Sequence, residues 1–309
     1  MAIVLIRQDG KIASWQQAIK ARSPETPVYS YLEEHPREAI TMAIVWKHPK
    51  GSLQGYPNLK CIASFGAGVD FIFEDSGRPP GIPLTRVVDP KLAGDMSEFV
   101  LAQIFSYLKH LKTYALEQEK RIWQPREYRR IEGTVVGIMG VGALGSVLAR
   151  DLGSLGFRVR GWVSSNKSND DIPLYAGVAK LSAFLEEVNI LVCLLPLTPE
   201  TRGILNKKLF GMLPRGAFVI NVARGGHLVD EDLIGMLDNG HLSGAALDVF
   251  HQEPLPPDHP FWGHPAIHLT PHIASVSDQE SVIPQLLGNY ERIMNGKPLE
   301  NVVSMDKGY

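Results

Sequence analysis

The chain is predicted to be an α/β protein of two domains, and three observations carry that reading. In the second half, six short apolar runs (residues 135–139, 159–163, 190–195, 218–221, 245–249 and 267–269) alternate with helix-forming segments, the rhythm of a parallel sheet with crossover helices. Between the first two runs stands Gly140-Val141-Gly142-Ala143-Leu144-Gly145, a glycine-rich turn that follows a strand and opens a helix. Upstream, runs at 3–6, 42–46 and 61–64 alternate with polar or helix-forming stretches and suggest a smaller α/β unit. A length of 309 residues suits two domains, since a domain typically has about 100–200 residues.

Residues 76–90 hold four prolines and two glycines and read as loop. Asp95-Met96-Ser97-Glu98 then reads as an acidic cap with Glu at the third helical position. Apolar residues at Val100, Ile104, Tyr107, Leu108, Leu111 and Tyr114 follow, so one long helix is expected over 95–119, crossing from one domain to the other. After the glycine turn, Leu144, Val147, Leu148, Leu152 and Leu155 share a helical face before Gly156 stops the helix. A last amphipathic helix, from about residue 277 to 295, is expected to return to the first domain. The predicted domains are therefore 1–97 with 277–309, and 98–276.

A formal net charge of −2 gives no electrostatic reason to expect nucleic acid or an anionic membrane as partner. The N-terminal apolar run is too short for a secretory signal and ends in Arg7. No segment approaches the roughly 20 apolar residues of a membrane span. Cys61 and Cys193 each lie in an apolar run, as buried thiols in a reducing compartment do, and a cytoplasmic protein is expected.

The glycine turn points to a dinucleotide. Gly140 allows a tight turn, Gly142 lets a pyrophosphate approach the amides at the helix start, and Gly145 permits close helix-to-strand packing. An NAD site usually has Asp or Glu about 20 residues further on, at the end of the second strand. Here Ser164, Ser165, Asn166 and Lys167 stand instead, with hydroxyl, amide and ammonium donors and no acid to repel a 2′-phosphate. The expected cofactor is NADP, with NAD as the alternative; no metal ligands are assigned.

Three residues after later strands complete the chemistry. His272 follows a short strand and Thr270-Pro271, at the carboxyl end where open α/β sheets place their ligand crevice. Imidazole is suited to give a proton to a ketone oxygen near neutral pH, and a carboxylate on its other nitrogen favours the charged ring. Glu253, before Pro254, is the candidate partner. Arg224, three residues beyond Asn221, can bind a carboxylate and polarise the neighbouring carbonyl. A structural ion pair between Arg224 and Glu253 is the alternative.

These motifs resemble the D-isomer-specific 2-hydroxyacid dehydrogenase family. The likeness rests on residues 140–145, Pro196-Leu197-Thr198-Pro199-Glu200-Thr201, Asn221-Val222-Ala223-Arg224-Gly225, Asp248-Val249-Phe250 with Glu253-Pro254-Leu255-Pro256, and Thr270-Pro271-His272. It covers nearly the whole chain, and Arg224 and Glu253 stand 29 positions apart, as in that family. Within the family, Trp46, the loop Phe65-Gly66-Ala67-Gly68-Val69-Asp70 and the ending Gly308-Tyr309 are most similar to glyoxylate- and hydroxypyruvate-reducing members.

The resemblance implies two Rossmann-like, doubly wound domains, a flavodoxin-like substrate domain and a dinucleotide-binding domain, with the active site in the cleft. It assigns Arg224 to substrate, Glu253 and His272 to catalysis, and Asp248 to the nicotinamide carboxamide. Gly140, Gly142, Ala143, Leu144, Gly145, Leu195, Pro196, Thr201, Val222, Ala223 and Ala274 join Arg224, Asp248, His272 and residues 164–167 as the cofactor set. A homodimer built through the cofactor domain is implied as well. One departure concerns Ser164, which stands where NADPH-preferring members usually have Arg.

Glycines after the 61–64 run can turn consecutive amides toward an anion, so Ala67 and Gly68 are expected to hold the substrate carboxylate with Arg224; an ordinary tight turn is the alternative. Trp46 walls the substrate pocket or belongs to the core. The expected activity is NADPH-preferring reduction of glyoxylate to glycolate and of hydroxypyruvate to D-glycerate. An NADH-dependent dehydrogenase of another 2-keto acid, and a non-catalytic dinucleotide sensor, are the other readings.

Overall fold

The computed structural model describes residues 1–164, 171–306 and 308. Contacts divide the chain into two units, Met1–Lys91 with Ser277–Tyr309, and Leu92–Val276.

The first unit contains β1 (Ala2–Arg7), α1 (Ile12–Arg22), β2 (Val28–Ser30), β3 (Ile40–Trp46), β4 (Cys61–Ser64), α2 (Asp70–Phe73) and β5 (Leu84–Thr85). Its strands lie in the order β2-β1-β3-β4-β5 with every pair parallel, the flavodoxin-like order. All six residues of β1 are buried, because a parallel sheet covered on both faces needs continuous apolar strands rather than alternating ones. One face packs on Trp15 and Ile19 of α1 and on Val282, Ile283, Leu286, Tyr290 and Ile293 of the C-terminal helix, Gln279–Met294. That helix thus completes the first unit, as its apolar spacing predicts. The other face packs on Leu53, Tyr56, Leu59 and Ile72.

The second unit takes in α3 (Pro90–Leu108) from its third residue and continues with α4 (Leu111–Glu119), β6 (Val135–Met139), α5 (Ala143–Ser154), β7 (Arg158–Val163), β8 (Leu174–Ala176), α6 (Leu181–Leu185), β9 (Ile190–Cys193), α7 (Lys207–Phe210), β10 (Ala217–Asn221), α8 (Asp230–Asp238), β11 (Leu242–Leu247) and β12 (Ile267–Leu269). Strand order is β12-β11-β10-β9-β6-β7-β8, all parallel. Counted from β6 this is the doubly wound 3-2-1-4-5-6 order with one strand added, and its direction reverses between β6 and β9.

The expected helix over 95–119 needs correction. Asp89 accepts a hydrogen bond from the Lys91 amide at 3.0 Å and Pro90 takes the first helical position, so α3 starts five residues earlier and Asp95 lies inside it. It also breaks in two, because His110 adopts a left-handed backbone (φ 55°) that a right-handed helix cannot continue through. Leu92, Ala93 and Met96 are buried; Met96, Val100, Ile104 and Leu108 join the core of the second unit. The expected loop over 76–90 contains the two-residue strand β5. No helix among the described residues is long and apolar enough to cross a membrane.

Candidate active site

The glycine turn after β6 has a backbone that can cradle an anion. Gly140 has φ +101°, and an added Cβ would lie 2.7 Å from the Leu194 carbonyl oxygen. A Cβ on Gly145 would lie 2.2 Å from the Gly140 oxygen, so only glycine lets α5 come this close to the turn. Gly142, the residue preceding α5, has nothing within 4 Å of an added Cβ, and no side chain caps the helix. Open space therefore faces the unsatisfied amides of a helix whose first residues are Ala143 and Leu144, which suits a pyrophosphate. Beyond β7, Ser164 is exposed. Ser165, Asn166 and Lys167, expected to meet a 2′-phosphate, lie outside the described residues.

On the other side of the switch point, Leu195 is buried and Pro196 begins a loop closed by Thr201. The Thr201 hydroxyl donates to the Pro196 carbonyl at 2.7 Å and accepts from the Thr198 amide at 2.9 Å. His227 ties this loop to the next one. Its Nε2 is 3.2 Å from the Pro196 oxygen and its Nδ1 is 3.1 Å from the Arg224 oxygen.

Arg224 is presented by the turn after β10. Buried Asn221 holds that turn, its side-chain oxygen accepting from the Ala223 amide (3.2 Å) and its amide donating to the Arg224 carbonyl (2.9 Å). Val222 and Ala223 are buried behind it, and the guanidinium donates to the Ala223 oxygen at 2.6 Å. Gly225 presses this turn onto the loop after β11: a Cβ there would lie 2.0 Å from the Phe250 carbonyl carbon.

Asp248, 1% exposed, organises the segment that carries His272. One carboxylate oxygen accepts from the Thr270 hydroxyl (2.6 Å) and the Ile273 amide (2.9 Å), and the other from the buried Ala274 amide (2.9 Å). His272 itself has φ +55°, a conformation L-residues avoid unless their surroundings impose it, and the three bonds to Asp248 do so. Its Nδ1 is 2.8 Å from Glu253 Oε2, while Glu253 Oε1 accepts from the Phe250 amide at 3.1 Å. Nδ1 being committed to the carboxylate, Nε2 is the nitrogen that can deliver a proton, and it has no protein partner among the described residues. The pair is sheltered yet reachable, with side-chain exposures of 29% for His272 and 19% for Glu253.

In the first unit, Trp46 ends β3 beside Gly66, where a Cβ would lie 2.8 Å from the indole, and it meets Phe71 edge-on at 5.5 Å. The Ser64 hydroxyl accepts from the Gly66 amide (3.2 Å) and donates to the Gly68 carbonyl (2.8 Å). This rounds the loop and leaves the Ala67 and Gly68 amides without a hydrogen-bond partner among the described residues. Trp46 is half-buried and packs against the core of the first unit.

Burial pushes the Cys61 thiol up to about 11 and the Cys193 thiol up to about 12, so neither is a nucleophile at neutral pH. Asn221, His227 and Thr270 were not assigned roles from sequence. Asn221 had a signal, a lone amide closing an apolar strand, whereas His227 and Thr270 act through partners that only the fold reveals.

The profile of the D-isomer specific 2-hydroxyacid dehydrogenase NAD binding domain matches residues 101–274. Over the whole of both chains, this one is 36% identical to the glyoxylate/hydroxypyruvate reductase A of Yersinia enterocolitica. A D-isomer specific 2-hydroxyacid dehydrogenase of Xanthobacter autotrophicus Py2, solved with NADPH and MES, superposes with a TM-score of 0.93 at 36% identity, covering 100% of this chain and 99% of that one. The NADPH-dependent glyoxylate/hydroxypyruvate reductase of Sinorhizobium meliloti, solved with NADP and sulfate, gives 0.91 at 37% identity with the same coverage.

Proposed function

The chain belongs to the D-isomer-specific 2-hydroxyacid dehydrogenase family, NAD(P)-dependent oxidoreductases, and on that premise we propose that it is an NADPH-preferring reductase of small 2-keto acids, glyoxylate to glycolate and hydroxypyruvate to D-glycerate. The observation that carries the reading is the 2.8 Å contact of His272 Nδ1 with Glu253, which directs the opposite nitrogen to a substrate oxygen. The reduced nicotinamide, when bound, supplies the hydride for the carbonyl carbon. His272 gives the Nε2 proton to the carbonyl oxygen, so the product is a neutral hydroxyl beside an unchanged carboxylate. Glu253 holds the ring in position and stabilises its charged form before transfer. Arg224 binds the substrate carboxylate. Relative rates with glyoxylate, hydroxypyruvate, pyruvate and a branched 2-keto acid test the substrate class. We expect the first two to be faster than the branched acid by about tenfold, the order of discrimination that an extra methylene brings in a pocket; equal rates across all four would refute that selectivity.

Cofactor preference rests on the absence of an acid at the end of β7 and on the NADPH-dependent relative. Lys167→Ala is expected to raise the KM for NADPH by about tenfold, the worth of one charge-assisted contact, with the KM for NADH unchanged. Equal effects on both cofactors would remove the phosphate role.

We also read the protein as a homodimer formed through its second unit. Trp123 is 95% exposed, and Leu111, Leu116, Ile122 and Tyr128 are exposed on the same α4-to-β6 stretch, more apolar surface than one short segment of a monomer usually shows. Trp123→Asp is expected to shift the protein from dimer to monomer in analytical ultracentrifugation; an unchanged dimer would place the interface elsewhere. The two free, buried thiols fit a cytoplasmic location.

A further inference from the structure

We propose that Asp230 is a positioning residue for the reaction, its carboxylate pinning both ends of the loop that carries Glu253 to the segment that carries Arg224. This rests on the roles given above to Glu253, His272 and Arg224. Asp230 is the first residue of α8, six positions after Arg224. His251 Nε2 lies 3.5 Å from one of its oxygens and His259 Nε2 lies 3.4 Å from the other. Residues 251 and 259 bracket Glu253 in sequence, so a single carboxylate reaches both sides of its loop.

The proton positions fit a clasp. His259 Nδ1 accepts from the Phe261 amide at 3.3 Å, which leaves its proton on Nε2, facing Asp230. His251 Nε2 also lies 2.9 Å from the Leu228 carbonyl oxygen, and since both neighbours are acceptors, that nitrogen carries the proton. His251 follows Phe250, whose amide holds Glu253 Oε1 and whose carbonyl packs on Gly225. A continuous set of contacts therefore runs from Asp230 through His251 and the Phe250 amide to Glu253 and His272.

A stabilising surface cluster is the plain alternative, and the electrostatics weigh against it. Burial raises the Asp230 carboxyl above its ordinary range; His251 and His259 pull it back, and the neighbouring Glu231 raises it further. A raised value means that the folded state holds the carboxyl proton more tightly than the unfolded chain. The fold is therefore favoured as pH falls through that value and is burdened by the ionised carboxylate at neutral pH. An acid that burdens the fold at neutral pH, yet joins the loops bearing two functional side chains, is better accounted for by positioning than by stability.

The test compares Asp230→Asn and Asp230→Ala with the wild type as full chains, using NADPH and glyoxylate. We expect Asp230→Ala to lower kcat about tenfold, since a displacement below an ångström suffices for that, with the KM for NADPH within about twofold. Asp230→Asn offers one oxygen to two imidazole donors, so it should break one link and lower kcat by about threefold without lowering Tm. Proton NMR of the apoprotein gives a readout that needs no turnover: the downfield Nδ1 proton of His272, hydrogen-bonded to Glu253, should broaden or move upfield in Asp230→Ala. Wild-type kcat and an unmoved His272 signal in either soluble variant would overturn the proposal. Absence of glyoxylate turnover in the wild type would instead strike the proposed function, and the NMR comparison would then decide Asp230 alone.

Discussion

Replacing His272 with Gln is expected to lower kcat about a thousandfold while the affinity for NADPH stays within about twofold. Glutamine can occupy the space and still form a hydrogen bond, but it has no proton to give at neutral pH. The loss corresponds to about 4 kcal/mol of transition-state stabilisation, within the span ordinarily attributed to a positioned general acid. Cofactor affinity should survive because the cradle at Gly140, Gly142 and Gly145 belongs to the β6–α5 turn, whose hydrogen bonds do not involve His272. Glu253→Gln should give a smaller loss: it keeps one oxygen for the His272 Nδ1–H, while the negative charge beside the ring and the acceptor for the Phe250 amide are lost. Steady-state kinetics with a separate NADPH fluorescence titration checks both. Wild-type turnover in His272→Gln would end the assignment of the proton donor.

Gly225→Ala is expected to reduce kcat/KM about a hundredfold although it adds one methyl group. That Cβ would sit 2.0 Å from the Phe250 carbonyl carbon, 2.3 Å from its oxygen and 2.4 Å from the His251 amide nitrogen. All three are backbone atoms, so no side-chain rotation can relieve the overlap and the two loops must move apart. The loops carry Arg224 on one side and Glu253 on the other, and a separation of about 1 Å is enough for a hundredfold loss. Overpacking of this kind costs about 1–3 kcal/mol, so Tm should fall without abolishing folding. Thermal denaturation alongside kinetics separates the effects; unchanged kcat/KM would show that Arg224 and Glu253 need no fixed register.

Much of this was legible in the sequence, for identifiable reasons. The runs at 61–64, 135–139 and 267–269 coincide with β4, β6 and β12, because buried parallel strands are uninterrupted apolar segments bounded by turn residues. Strands β2, β5 and β8 escaped, being two or three residues long at the edges of their sheets and too short to show any period. The start of α3 was misplaced because Asp95-Met96-Ser97-Glu98 has the composition of a cap, while Asp89-Pro90, the cap actually used, looked like the end of a proline-rich loop.

At the site, Glu253 and His272 could be named from motif and position, and the fold brings them to 2.8 Å. The parts that escaped work through backbone. Asn221 and His227 hold carbonyls and amides of neighbouring turns, and Asp230 meets imidazoles 21 and 29 positions away, partnerships set by which loops the sheet makes adjacent. Asp248 shows the limit from the other side: motif resemblance ties it to the cofactor, and both of its oxygens prove to be engaged with the His272 segment.

The central claim, hydride delivery to a small 2-keto acid from NADPH with His272 as proton donor, is tested most directly by following reduced-nicotinamide absorbance. NADPH and NADH are run in parallel against glyoxylate and hydroxypyruvate, with wild type and His272→Gln side by side. The account predicts rapid NADPH oxidation by the wild type with both acids, slower oxidation of NADH, and almost none with the variant. No oxidation of either cofactor by the wild type, despite saturable NADPH binding, would contradict it.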